Sequence, residues 1–288
     1  MLKANDACYL CHNSDFTFRK GSVRDNPELK IMECPNCGLV MLNSFDHIRE
    51  MHYEDSGMHG SVGISMDHWL RETERDDQRR FDMLRDAMTN RKILDFGCGA
   101  SGFLRKASFA AAEAIGVEPE RRVREYWKGE LQLHGSLDDV GGDFDLITMF
   151  HVLEHLADPR AMLLKLAGLL KPAGRMVIEV PSSEDALLTI FDNVPFQNFT
   201  YWSQHLFLFN METMRQLATQ AGLKVVAIQQ FQRYPLSNHL YWLTNGQPGG
   251  HQRWSFLDNP ALEEAYAASL ASIGKCDTLI AFLERKSD

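Results

Sequence analysis

From residue 92 onward, short apolar runs are stopped by glycine, proline or acid and followed by helical stretches, and this alternation restricts the chain more than any other feature. KILDF (92–96), AIGVE (114–118), LQLHG (131–135), FDLITMF (144–150), RMVIEVP (175–181), LKVVAIQQF (223–231) and CDTLIAFLER (276–285) read as seven strands. GFLRKASFAAA (102–112), RRVREYWKG (121–129), DPRAMLLKLAGLLKPAG (158–174), METMRQLATQAG (211–222) and NPALEEAYAASLASIG (259–274) read as helices. Strand and helix taking turns predict an α/β domain over 91–288, with a parallel sheet covered on both faces. Residues 233–275 interrupt the pattern with an aromatic-rich stretch, an insertion that is a candidate lid or partner surface. Ahead of the domain, 46–90 is expected to be a loop followed by a connecting helix, with Trp69, Leu70, Phe81, Leu84 and Met88 at helical spacing.

The first strand runs into Gly97, Gly99 and Gly102, a G-x-G-x-x-G turn that lets backbone approach a ligand. Taken alone it would suit a dinucleotide. Asp95, two residues before the first glycine, argues otherwise: a carboxylate at a strand tip repels a diphosphate and attracts a cation. Glu118 ends the second strand, where such folds place an acid for ribose hydroxyls. Together they favour a sulfonium nucleoside, S-adenosylmethionine, over a nicotinamide dinucleotide.

The amino-terminal 1–45 carry a different signal. Cys8, Cys11, Cys34 and Cys37 form two C-x-x-C pairs, while Cys98 and Cys276 stand alone. Two such knuckles supply four thiolates for a closed structural Zn2+ site, which would hold together a segment too polar to fold alone. No export signal or span-length apolar run is read, so the expected compartment is the cytoplasm and no membrane partner is expected. A net charge of −9 disfavours general affinity for nucleic acid. Oligomeric state is not legible.

Through ILDFGCGASGF, IGVEPE, DFDLITMFHVLEHLADP and LKPAGRMVIEVPS, the chain resembles the class I S-adenosylmethionine-dependent methyltransferases. The resemblance implies a Rossmann-like seven-stranded sheet with the last strand antiparallel. It also implies that Asp95, Gly97, Cys98 and Gly99 line the methionine end of the cofactor, Cys98 through its backbone N–H. Glu118 would take the ribose and Pro119 the adenine, with Ser136, Leu137 and Asp138 at the adenine edge. Phe150, His151 and Val152 would border the methyl group. CPNCGLVMLN before such a domain is similar to a group found in polysaccharide and deoxysugar biosynthesis, which implies a small hydroxylated acceptor, a nucleotide-linked sugar or glycan.

A hydroxyl acceptor needs a base, and histidine suits neutral pH. The segment FQNFTYWSQHLFLFN (196–210) follows the fifth strand, and sugar methyltransferases carry an active-site histidine in a matching segment. His205 is therefore the expected base, with Tyr201 and Gln204 orienting the acceptor and His151 at the strand tip as wall. His155 is the rival, and its neighbour Glu154 is expected to point elsewhere. Two other readings compete: an RNA methyltransferase that recognises its target through the cysteine module, and a non-catalytic interaction module.

Overall fold

The computed structural model describes residues 6–48 and 64–286; the expected loop across 49–63 lies outside the described residues. Seven strands build the large sheet: β1 (Lys92–Phe96), β2 (Glu113–Val117), β3 (Gln132–His134), β4 (Phe144–Phe150), β5 (Leu170–Pro181), β6 (Leu223–Phe231) and β7 (Thr278–Arg285). Their order is β3-β2-β1-β4-β5-β7-β6. The first five pair parallel, and β7 lies antiparallel between β5 and β6. Continuous apolar runs on β1 and β4 follow from burial on both faces, with Ile93, Leu94, Ile147 and Met149 fully enclosed. The direction of strand order reverses between β1 and β4, and a crevice opens at such a switch point beyond the strands' carboxyl ends.

The helix expected over 158–174 is shorter than its periodicity suggested. It spans Pro159–Leu169, capped by the Asp158 side chain on the Ala161 N–H, and residues 170–174 already belong to β5. Pro172 has no N–H to continue a helical ladder. Gly174 passes so close to β4 that an added Cβ would lie 2.7 Å from the Phe144 carbonyl oxygen. Within 233–275, Leu236–Asn245 forms a helix that the aromatic-rich pattern did not announce. Its Tyr241 and Trp242 are buried, with the Trp242 ring 5.2 Å and 5.1 Å from the rings of Phe196 and Phe199.

The amino-terminal segment builds a second sheet from Thr17–Phe18, Ile31–Glu33 and Val40–Leu42, all antiparallel. Its fourth strand comes from far along the chain: Phe207–Leu208 pairs with Val40 and Met41. Apolar residues of the cysteine segment, among them Leu10, Ile31, Leu39 and Val40, share one core with Phe207 and Phe209.

A long helix, α1 (Met66–Met88), begins at Ser65, whose side chain caps the His68 N–H. It is fastened to the sheet by charge. Glu179, near the end of β5 and fully buried, accepts hydrogen bonds from Arg79 Nη2 at 2.9 Å and Arg80 Nη2 at 2.7 Å. The guanidiniums lie over Phe231 and Phe150, 4.3 Å and 4.5 Å from the ring centres. Burial opposes the charge on Glu179, but His151 and these arginines hold its pKa well below the ordinary glutamate range. Removing one member of such a network strands the others in a dry interior. Glu179→Gln is therefore expected to cost about 3–5 kcal/mol near neutral pH in a denaturant titration. Because the folded-state pKa is depressed, the wild-type advantage should persist above the unfolded glutamate range and vanish as pH falls through and below it.

Candidate functional site

A cavity of about 480 Å³ opens at the switch point, along the tips of β1, β2, β3 and β4. The glycine turn forms its floor. Gly97 has φ +73°, and an added Cβ would lie 2.4 Å from Val152 Cγ2, so a side chain is excluded both by conformation and by space. The N–H groups of Gly97 and Cys98 both donate to the Val117 carbonyl. The expected ligand contact through the Cys98 N–H is thus corrected: that donor is committed to β2, although Cys98 does line the cavity.

Two carboxylates flank the turn. Asp95 accepts from Thr148 Oγ1 at 2.7 Å and is almost sealed from solvent. Glu118 accepts from the Gly99 N–H at 2.8 Å and the Glu120 N–H at 2.9 Å. Burial pushes the pKa of each up to about 7, against the hydrogen bonds that favour the charged form. A buried acid poised in this way is stabilised as an anion by an incoming cation or hydroxyl donor.

The structure brings together, on one wall or another, Asp95, Gly97, Cys98, Gly99, Glu118, Pro119, Ser136, Leu137, Phe150, His151 and Val152. Asp138 is not among them; its side chain turns to Lys165. Tyr201, Gln204 and His205 are also absent from the cavity wall. Tyr201 is buried toward Arg19 of the cysteine segment, and the Gln204 carbonyl accepts from His155 Nδ1 at 2.8 Å. His205 sits behind His155, its ring 5.0 Å away, and burial lowers its pKa to about 3. That value makes it a weak proton acceptor at neutral pH. His151 and His155 do reach the wall.

His151 adopts a left-handed φ of +55°, a strained position for a side-chain-bearing residue. Its Nε2 lies 3.2 Å from Glu179 and its Nδ1 3.3 Å from Glu154. Burial works against its charge, but the two carboxylates carry its pKa above the ordinary histidine value.

Four wall residues from α1 and one from beyond β6 escaped sequence reasoning: Trp69, Thr73, Asp77, Arg80 and Arg233. The helical spacing from 69 to 80 was the available signal, a polar and aromatic stripe beside the apolar face. Arg233 had none; its Nε donates to Asp76 at 2.7 Å, a contact between elements distant in sequence.

Two buried carboxylates flanking a glycine turn at the switch point of this sheet fit a class: the α/β fold of the S-adenosylmethionine-dependent methyltransferases. The chain belongs to the methyltransferase-domain family, whose model matches residues 66–228. It is 28% identical over 156 residues to the mitochondrial ubiquinone biosynthesis O-methyltransferase of Schizosaccharomyces pombe, covering 50% of this chain and 56% of that one. It is 34% identical over 95 residues to the ubiquinone biosynthesis O-methyltransferase of Nitrobacter winogradskyi, covering 30% and 36%. The chain thus spans about half or less of the curated relatives it matches. Among solved structures it is similar in fold to a chain of the complex between the Haloferax volcanii Trm112 methyltransferase activator and a methyltransferase. That match has a TM-score of 0.50 and 18% identity, and covers 79% of this chain and all of that one.

If Asp95 faces the cationic end of S-adenosylmethionine, affinity should rise as pH is raised from 6 to 8 and level off above it. The raised pKa penalises the unliganded fold above the unfolded aspartate range, so the thermal shift given by the ligand should be larger at pH 8 than at pH 6. Asp95→Asn is expected to weaken binding by about ten- to a hundredfold, measured by calorimetry, and to flatten this pH dependence.

Proposed function

We propose that the protein transfers a methyl group from S-adenosylmethionine to the hydroxyl of a small polar acceptor, and that the acceptor is a nucleotide-linked sugar. The observation that carries this reading is the pair of carboxylates, Asp95 and Glu118, on either side of the glycine turn. S-adenosylmethionine supplies a methyl carbon activated by its sulfonium. Asp95 and Glu118 hold the donor, and Val152 backs the turn. The acceptor oxygen forms the new bond to carbon as the carbon–sulfur bond breaks with its electron pair onto sulfur.

The hydroxyl proton passes to neutral His151, which stands on the wall while His205 does not; to take it, the ring must turn one nitrogen from its carboxylate toward the acceptor. Carboxylates at both ring nitrogens, Glu179 and Glu154, orient the imidazole and stabilise the cation that forms. The acceptor end is polar, with Arg80, Arg233 and His151 on the wall. Past Arg233 lies a second cavity bordered by Arg71, Arg75, Glu72, Asp76 and Gln252; Arg75 pairs with Glu263 and Arg233 with Asp76, so Arg71 is the cation it offers to a phosphate of a nucleotide sugar.

The cysteine segment serves this reading as a brace. The four thiolates of Cys8, Cys11, Cys34 and Cys37 lie within 4.8 Å of one another, and the donor set is that of a structural Zn2+ site. Two of its basic residues are spent inward, Arg19 on Glu33 at 2.8 Å and Arg24 over the Trp202 ring at 4.4 Å, and Lys20 pairs at the surface with Asp192, leaving Lys30 isolated from them. A phosphate-binding stripe needs such cations free, so recognition of RNA by this segment is disfavoured. Among the described residues no helix is long and apolar enough to cross a membrane.

Two outcomes are expected. With labelled donor and a panel of nucleotide sugars, quinol-type phenols and RNA, label should enter a nucleotide sugar. His151→Asn should slow that turnover about a hundredfold while donor affinity changes little; unchanged turnover would remove His151 from the role. Separately, elemental analysis should find a tightly held zinc, and stripping it with a thiol-selective chelator should unfold the cysteine segment and lower the melting temperature. A full melting temperature in zinc-free protein would reject the brace.

A further inference from the structure

Behind the cavity wall, Glu154, His155 and His205 converge. One ligand atom from each lies within 4.8 Å of the others, although Glu154 and His155 are adjacent in sequence and were expected to diverge. The tight turn Leu153–His155 accounts for part of this, and the segment after Trp202 for the rest: the Leu206 N–H donates to the Glu154 carbonyl at 2.8 Å, which carries His205 alongside.

The chemistry of the cluster is unusual for a structural core. Glu154 is fully buried, and neither carboxylate oxygen has a hydrogen-bond partner among the described residues; the His151 Nδ1 contact, at 3.3 Å, is an ion pair outside hydrogen-bond geometry. His205 Nδ1 is likewise sealed from solvent without a hydrogen bond. His155 donates its Nδ1–H to the Gln204 carbonyl, which fixes the tautomer and leaves the lone pair on Nε2. Trp202 closes the outer side, its ring 5.9 Å from His155 and 5.4 Å from His205. A buried anion without hydrogen bonds is costly unless something cationic completes it. His151, shared between Glu154 and Glu179, supplies part of that charge without a hydrogen bond in good geometry; an ion held by Glu154, His155 and His205 would complete it.

We propose that Glu154, His155 and His205 form a second metal centre, distinct from the four-cysteine site, which binds one divalent transition-metal ion. Two imidazole nitrogens and one carboxylate oxygen select the Zn2+, Mn2+, Co2+ and Fe2+ class over Mg2+ and Ca2+, which prefer all-oxygen shells. Three protein ligands leave coordination positions open, and His155 places the ion beside the cavity wall. Resting on the methyltransferase reading, such an ion would supply Lewis acidity, which would lower the pKa of an acceptor hydroxyl near His155. This turns His205 from the expected base into a ligand.

The test uses the full chain carrying zinc on its cysteines, titrated with Mn2+ and followed by loss of the free-ion electron paramagnetic resonance signal. One Mn2+ per chain should bind to the wild type. Binding should weaken at least about thirtyfold in both Glu154→Gln and His205→Ala. Should either variant fail to fold, the wild type decides by absorption: one equivalent of Co2+ should give a ligand-field band without thiolate charge transfer. No binding beyond the cysteine site, or equal binding in folded variants, overturns the centre. S-adenosylmethionine calorimetry on the same samples separates the two readings. Donor binding without Mn2+ binding retires the centre alone, and Mn2+ binding without donor binding retires the methyltransferase reading while the centre stands.

Discussion

The pairing of Phe207–Leu208 with Val40–Met41 joins the two halves of this molecule, and the acceptor side of the cavity depends on it. A two-residue strand is negligible alone, because strands gain stability from partners on both edges and from a buried face. Here it completes a four-stranded sheet, and its Phe207 ring lies 5.1 Å from Phe45 and 5.2 Å from Tyr9. The Leu42 N–H then donates to Leu206, whose own N–H donates to Glu154. A continuous ladder therefore runs from the cysteine segment to the turn that follows β4. Disturbing the cysteines would displace Glu154, His155 and His205 together, without touching the donor half of the cavity.

The two halves of the cavity are built on opposite electrostatic principles. On the donor side, Asp95 and Glu118 are under-compensated: burial raises both toward neutrality, and each waits for a partner that is not part of the protein. On the acceptor side, Glu179 is saturated by Arg79, Arg80 and His151, and its charge is held firmly. Under-compensated acids bind; saturated acids position. Glu154 has the burial of the second kind and the unmade hydrogen bonds of the first, which is why it stands out among the carboxylates here.

How much of this was legible depended on whether the information was local. β1, the glycine turn and Glu118 were readable because a buried strand, a positive-φ turn and a strand-tip acid are each written in a few adjacent residues. The antiparallel β7 came from family resemblance and proved right. Residues 170–174 were misread because their apolar period continues the preceding helix, while the deciding contact, Gly174 against Phe144, is made with another strand. The α1 wall was hidden since Trp69, Thr73 and Arg80 look like an ordinary solvated stripe until α1 is laid across the sheet tips. His205 was picked out correctly as a residue with chemistry around it, but its neighbours Glu154 and His155 become neighbours only through the long-range ladder.

The same reasoning explains why a small four-cysteine segment is a sensible addition to this fold. The strip from the end of β5 to Phe209 contributes no residue to the cavity wall and meets the large sheet at its margin, where Ser182 and Phe209 form an isolated bridge. A loop with few backbone partners opens readily, and an open loop cannot keep ligating or substrate-positioning groups in register. Pairing with Val40–Met41 gives it an edge strand and a core shared with the cysteine segment. A metal ion held by Cys8, Cys11, Cys34 and Cys37 would then act mechanically, its benefit appearing at residues it never touches.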